Sequence, residues 1–141
     1  MKYYKFYSTI INIFIIKNKK IKFLIIYFLS DVGYRIIKLN EDEIAVVENK
    51  KVLLIIINNY EILHEINCDN MNFCILKLSN NIFLTGDEKG TITQYKIENK
   101  KINKESSKYN AHENIIYSMT IINNMIISGG KNSNDIKLWK K

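Results

Sequence analysis

The segment that decides the fold is residues 111–139, AHENIIYSMTIINNMIISGGKNSNDIKLW. Its apolar residues form short runs separated by Asn, Gly and Asp, which is typical of β-strands joined by tight turns. His112 precedes the first run, Ser128 ends the second and Trp139 ends the third. Trp brings a large apolar body with one donor, and His can both donate and accept. These three side chains are therefore suited to a buried, mutually satisfied hydrogen-bond network.

A weaker copy of this pattern lies about 43 residues upstream, in the sequence TGDEKGTITQY of residues 85–95. Thr85 stands in place of Ser128, and Tyr95 stands in place of Trp139. Asp69 falls at the position of the histidine. A repeat of this length is the period of β-propeller blades.

These two segments resemble WD40 repeats, in which a His, a Ser or Thr, an Asp and a Trp tie each four-stranded blade together. The resemblance implies that His112, Ser128 and Trp139 form the structural network of the last repeat. It implies that Thr85 and Tyr95 are the remains of that network in the preceding repeat.

The last repeat departs from the family pattern at two positions. Ala111 replaces the Gly that precedes the histidine, and Asp135 stands only four residues before Trp139, too close for the usual turn position. Asn132 or Ser133 occupies the expected place of the Asp. We therefore expect an incomplete network.

The remaining apolar runs extend the same organisation upstream. They predict strands at residues 36–39, 44–47, 52–57, 61–66, 73–78, 82–85, 91–97, 115–121, 125–128 and 136–140. Gly90 falls in a turn that favours a positive φ. The fold class predicted is all-β: an incomplete β-propeller of about three consecutive four-stranded antiparallel blades. A closed ring needs at least four blades of about 40 to 45 residues, so 141 residues indicate a fragment or an associating array.

Residues 36–141 form the repeat array in this interpretation, and residues 1–35 are more ambiguous. Residues 13–26 align without a gap on residues 44–57, which favours a degenerate blade hairpin. The alternative is a secretory or membrane segment, because Lys2 and Lys5 precede an apolar run. Lysines split the apolar residues into two runs, and each is shorter than the roughly 20 residues that span a bilayer.

The net charge of +7 raises RNA or another polyanion as a partner. However, the triplet Asn-Lys-Lys recurs at residues 18–20, 49–51 and 99–101, between apolar runs. Lysines in turns explain the charge without nucleic acid.

No cofactor or metal is expected. Cys68, Cys74, His64 and His112 do not have the spacing of a metal site, and Cys74 lies in an apolar run typical of a buried free thiol. No catalytic residue is expected either, because the histidines do not assemble with a nucleophile. Asp87 and Glu88 are interpreted as a solvated hairpin tip.

The resemblance to WD40 proteins implies a rigid, non-enzymatic platform that binds other proteins or peptides. We expect a cytoplasmic protein without a small-molecule substrate, and self-association or a partner that completes the propeller. Two alternatives remain: a membrane-anchored or secreted fragment targeted by the apolar N-terminus, and a basic module that binds RNA.

Overall fold

A computed structural model describes residues 10–17, 20–27, 34–59, 61–108, 110–131 and 135–140. The chain forms two compact units, Met1–Val32 and Gly33–Lys141. The first unit contains β1 (Ile10–Lys17) and β2 (Lys20–Tyr27), which pair antiparallel. Residues 1–9, 18–19 and 28–33 lie outside the described part, and the targeting alternative stays untested.

The second unit consists of three antiparallel sheets in which strand order follows sequence order. The first sheet comprises β3 (Tyr34–Lys38), β4 (Glu43–Glu48), β5 (Lys51–Ile56) and β6 (Ile62–Asn67). The second comprises β7 (Asn72–Lys77), β8 (Ile82–Asp87), β9 (Ile92–Glu98) and β10 (Lys101–Lys108). The third comprises β11 (Ile116–Ile122), β12 (Met125–Gly130) and β13 (Ile136–Lys140). The prediction of an all-β array of about three blades is confirmed.

Strand β10 is the one strand of these sheets that sequence analysis missed. Its sequence, KINKESSK, contains a single apolar residue, Ile102, and therefore lacks the apolar alternation by which a half-buried strand is recognised. β10 nevertheless pairs with β9 along its whole length, with an irregularity between Lys104 and Ser106. Ile102 is buried, with 3% of its surface exposed, and it alone carries the apolar packing of this strand.

Asparagine turns connect several of these strands. Asn99 and Lys100 have φ angles of 51° and 61°, and Asn123 and Asn124 have φ angles of 50° and 63°. Two successive residues with positive φ are characteristic of the tight hairpin turns whose twist matches that of the flanking strands. The interpretation of the Asn-Lys triplet as a hairpin turn is confirmed at residues 99–101.

The three sheets are packed face to face in sequence order. The first sheet meets the second through a buried cluster that includes Leu39, Val47, Leu54, Phe83 and Tyr95. The second meets the third through a cluster made of Cys74, Leu84, Ile92, Ala111, Ile116 and Ile126. Strand β7 contacts both β3 and β11, so the first strands of the sheets lie together. This radial arrangement places the last repeat against the second sheet.

The described residues contain no helix that is long and apolar enough to cross a membrane.

Gly90 lies in the turn between β8 and β9 and contacts His112 in the loop that precedes the third sheet. It therefore provides a test of this packing. Its φ is 76°, and a Cβ placed there would lie 1.9 Å from the carbonyl oxygen of His112. We expect Gly90→Ala to lower the free energy of unfolding by about 2–5 kcal/mol, because a left-handed backbone costs about 1–2 kcal/mol and an overpacked contact about 1–3 kcal/mol. Urea unfolding monitored by circular dichroism measures the change.

Gly129→Ala is the matched control for this experiment. A Cβ at Gly129 meets only the Ser118 hydroxyl, at 3.1 Å. Equal losses in the two variants would contradict the packing around Gly90.

Candidate functional site

The structure brings His112, Ser128 and Trp139 into one hydrogen-bonded group. Trp139 Nε1 donates to Ser128 Oγ over 2.8 Å, and Ser128 Oγ lies 2.6 Å from His112 Nε2. His112 and Ser128 are buried, with exposed fractions of 1% and 0%, and Trp139 is half-buried. β12 and β13 position Ser128 and Trp139, and the loop before β11 carries His112.

Asp135 also belongs to this group, so the sequence argument that excluded it is wrong. Its Oδ2 lies 2.6 Å from His112 Nδ1. The Gly130 amide donates to the Asp135 carbonyl over 2.8 Å, which places Asp135 at the start of β13, opposite the end of β12. Asp135 therefore reaches the histidine from the end of the hairpin at which β12 connects to β13. Asn132 and Ser133, the expected turn positions, lie outside the described residues.

The hydrogen positions in the group follow from what each atom can do. A carboxylate only accepts, so Nδ1 of His112 carries the hydrogen that faces Asp135. In the neutral imidazole this leaves Nε2 to accept from the Ser128 hydroxyl, which in turn accepts from Trp139. The His112–Asp135 contact has ion-pair distance without the alignment of a good hydrogen bond.

Ser128, His112 and Asp135 are linked in the order of a serine hydrolase triad. The sequence analysis expected the histidines to lie apart from any nucleophile, and this part is wrong because His112 contacts the Ser128 hydroxyl. This geometry does not make Ser128 a nucleophile, because Ser128 has no exposed surface and its oxygen already accepts from the Trp139 indole. A substrate carbonyl cannot approach this oxygen while the network is intact.

Gly130 makes room for the His112–Asp135 pair. A Cβ at this position would lie 2.1 Å from Asp135 Oδ2 and 2.8 Å from His112 Nδ1. Only glycine leaves both side chains in place. The second glycine after Ser128 was the sequence signal for this packing, and sequence analysis did not use it.

The second sheet places Cys68, and not Asp69, at the position of His112. The amide of Cys68 donates to Lys50 O over 2.7 Å, as the amide of His112 donates to Gly90 O over 3.0 Å. The expected position is wrong by one residue, because the β7–β8 hairpin is one residue longer than the β11–β12 hairpin: Asn72 pairs with Asp87, whereas Ile116 pairs with Gly130. Asp69 is exposed, and its carboxylate lies 3.9 Å from Lys104.

Thr85 and Tyr95 are also brought together in the second sheet. Both are buried, and the Tyr95 hydroxyl lies 3.3 Å from the Cys68 thiol and bonds with Thr85. Burial, followed by the contact with Cys68, raises the pKa of Tyr95 far above its usual range. The group is smaller and less polar than its counterpart in the third sheet.

Asp87 is buried, so its interpretation as part of a solvated tip is wrong. Its Oδ1 accepts from the amides of Lys89 and Thr91 over 2.9 and 2.8 Å, and its Oδ2 accepts from Asn70 over 3.0 Å. A carboxylate with three donors stabilises the β8–β9 turn. Glu88 is half-buried and accepts from the Met71 amide.

Asp87 and Gly130 are equivalent, since each faces the first residue of the preceding strand, Asn72 or Ile116. The two sheets therefore fill the same space in opposite ways. The second combines a small Cys68 with a large Asp87, and the third combines a large histidine with a glycine. Beside Cys68 and Asp87 remains a cavity of about 40 Å³.

The described residues offer no group of three or more His, Cys, Asp or Glu that could hold a metal ion. Both cysteines are free thiols, and burial raises the pKa of Cys74 to about 12. The expectation of a buried thiol at Cys74 is confirmed.

No family model and no curated protein matches the chain. Solved structures do. The C-terminal WD40 domain of Sif2 matches with a TM-score of 0.63 and 12% identity over 76% of this chain and 33% of that one. A chain of the Mitotic Checkpoint Complex matches with a TM-score of 0.62 and 7% identity over 70% of this chain and 33% of that one. The fold is that of a partial WD40 propeller.

A computationally designed protein, Ika4, matches with a TM-score of 0.57 and 17% identity. The chain covers 61% of Ika4 and about a third of the two natural structures. In WD40 terms the three sheets are successive blades, of which the third has three described strands.

The hydrogen-bonding group around Ser128 has weaker counterparts in the second and first sheets. By strand register, Ser128 corresponds to Thr85 and then to Val46, which is fully buried. Trp139 likewise corresponds to Tyr95 and then to Ile55. In the first sheet, apolar packing replaces the polar group at these positions.

Ser128→Ala tests whether the WD40 group stabilises the third sheet. The change leaves His112 Nε2 and Trp139 Nε1 without their shared partner, and an unsatisfied buried group costs about 1–3 kcal/mol. We expect the free energy of unfolding to fall by about 2 kcal/mol, measured by urea titration followed through the fluorescence of Trp139. Ser118→Ala, on an exposed side chain of β11, is the control. Similar stabilities of the two variants would show that the group carries no net stability.

Proposed function

We propose that this chain is a non-enzymatic protein-interaction scaffold of the WD40-repeat type. The observation that carries the proposal is an exposed apolar face on the third sheet, on the side turned away from the second sheet. Ile122, Ile136 and Leu138 lie on this face, with exposed fractions of 53%, 66% and 59%. We name these three residues the end face.

The end face has the composition of a protein contact surface. Strand register sets Ile122 beside Met125, and sets Leu138 beside Ile127, so apolar side chains are adjacent across three strands. Contiguous exposed apolar surface on a soluble domain marks interaction sites. Likeness to WD40 domains supports the same function, since one similar structure is a chain of the Mitotic Checkpoint Complex.

The scaffold proposal is tested by affinity capture with the 141-residue chain as bait. The double variant Ile122→Lys with Leu138→Lys places charge on the end face, and we expect it to reduce captured partners by about tenfold or more, as expected when central interface residues are lost. Quantitative mass spectrometry measures the change. Ile62→Lys, at an isoleucine of the first sheet that is 49% exposed, is the control. Identical partner sets for all three baits would contradict the proposal.

A fluorophosphonate probe tests the non-enzymatic part. It labels a serine hydrolase nucleophile, and we expect no labelling of Ser128 in the folded chain because this hydroxyl is fully buried. Peptide mass spectrometry locates any adduct. An adduct on Ser128 that disappears in the Asp135→Asn variant would establish an active triad and overturn this proposal.

A further inference from the structure

The outer edge of β13 differs from the corresponding edges of the other sheets. In the first two sheets the third strand pairs with a fourth, β5 with β6 and β9 with β10. Within the described residues, β13 pairs only with β12. Its second edge therefore presents backbone donors and acceptors to which an extended chain can add.

A cavity of about 300 Å³ lies beside this edge, between the second and third sheets. The second sheet contributes Leu84, Ile92, Gln94 and Ser106, and the third contributes Ile126, Trp139 and Lys140. Four of these seven residues are apolar, and two of the seven, Trp139 and Lys140, belong to β13.

The equivalent space between the first and second sheets is filled. Strand register matches Ile126 with Phe83 and Trp139 with Tyr95. Phe83 and Tyr95 belong to a closed core that also contains Ile102, and Ile102 comes from the fourth strand, β10. By this comparison, the cavity lies where a fourth strand of the third sheet would place a branched apolar side chain, as β10 places Ile102.

The lysines of β13 indicate which charge a fourth strand should carry in order to pair with it. Lys140 occupies the position of Lys96, since each pairs with the first residue of the second strand. Lys96 lies 2.5 Å from Glu98 on its own strand and 3.9 Å from Glu105 on β10, and Lys51 lies 2.7 Å from Glu65 on β6. In both complete sheets a lysine on the third strand thus faces a glutamate on the fourth.

A second copy of this chain does not supply such a strand from its N-terminal hairpin. Residues 1–30 contain no Asp or Glu, whereas they contain six lysines. Placing this hairpin beside Lys137 and Lys140 would bring like charges together, which is destabilising.

We propose that the free edge of β13 and the adjoining cavity bind an extended, acidic segment of a partner protein as a fourth strand. The segment carries a branched apolar residue and, three positions later, a glutamate, as Ile102 and Glu105 do in β10. This proposal rests on the scaffold function and names the chemistry of one partner.

The experiment uses the full chain and a capped synthetic peptide with the sequence of Lys101–Lys108. Its three lysines carry the changes Lys101→Thr, Lys104→Thr and Lys108→Thr. Trp139 is the only tryptophan of the chain and lines the cavity, so its emission reports binding directly. We expect a saturable shift to shorter wavelength as the peptide covers the indole.

Two peptide variants test the two recognition features. Ile102→Ala in the peptide should weaken binding by at least about tenfold, since burying such a side chain contributes about 1.5–3 kcal/mol. Glu105→Lys should weaken binding by about fivefold, the range expected of a reversed cross-strand charge pair.

A charge exchange separates recognition from misfolding. Lys140→Glu in the protein should weaken binding of the peptide that contains Glu105. The same change should restore binding of the Glu105→Lys peptide. Lys50→Glu, at an exposed turn lysine far along the chain, should change neither.

The proposal is overturned if no saturable shift occurs or if the charge exchange restores nothing. It is also overturned if sedimentation shows a dimer that Lys140→Glu dissociates, because a second copy then occupies the edge. If the peptide does not bind but the end-face variant loses captured partners, only the site at β13 is refuted. If the peptide does not bind and the end-face variant keeps all captured partners, the scaffold function itself is refuted.

Discussion

The packing of one sheet's apolar face on the next is the interaction on which the rest of this fold depends. A four-stranded sheet has two faces, and a face lined with Ile, Val and Leu is costly to leave in water. The clusters around Phe83 and around Leu84 solve this for successive pairs of sheets. The third sheet has one such neighbour, so Ile136 and Leu138 stay exposed. The surface available for binding is thus the face that packing leaves uncovered.

Within this arrangement the three sheets hold their hairpins together by different chemistry. The third uses a buried polar chain from Trp139 to Asp135, and the first uses only apolar contacts at the same positions. The second is intermediate, because Asp87 fills space that the histidine ring takes in the third. Buried polar groups are tolerable only when every member has a partner. Loss of the histidine therefore goes together with replacement of the glycine, since the two positions share one volume.

Sequence patterns predicted most of the strands, the turn at Asn99, and two of the residues that gather around Ser128, namely His112 and Trp139. They failed where distance along the chain differs from distance in space. Asp135 looked too close to Trp139, yet the hairpin folds it against His112. Asp69 was taken for the histidine position because the first hairpin of the second sheet is one residue longer than that of the third, which shifts the repeat. Strand β10 gave no apolar alternation, since it is an outer strand with a single buried side chain.

Every sheet pairs strands that follow one another directly in the sequence. Closing such short loops costs little chain entropy, so each hairpin can form early and locally. The sheets then dock as units whose stabilities add through nearest-neighbour contacts, as in other repeat arrays. The third sheet has one apolar face exposed, so we expect opening to begin there and to reach the second sheet later. The binding surfaces of the third sheet consequently lie on the part of the array that opens before the second sheet does.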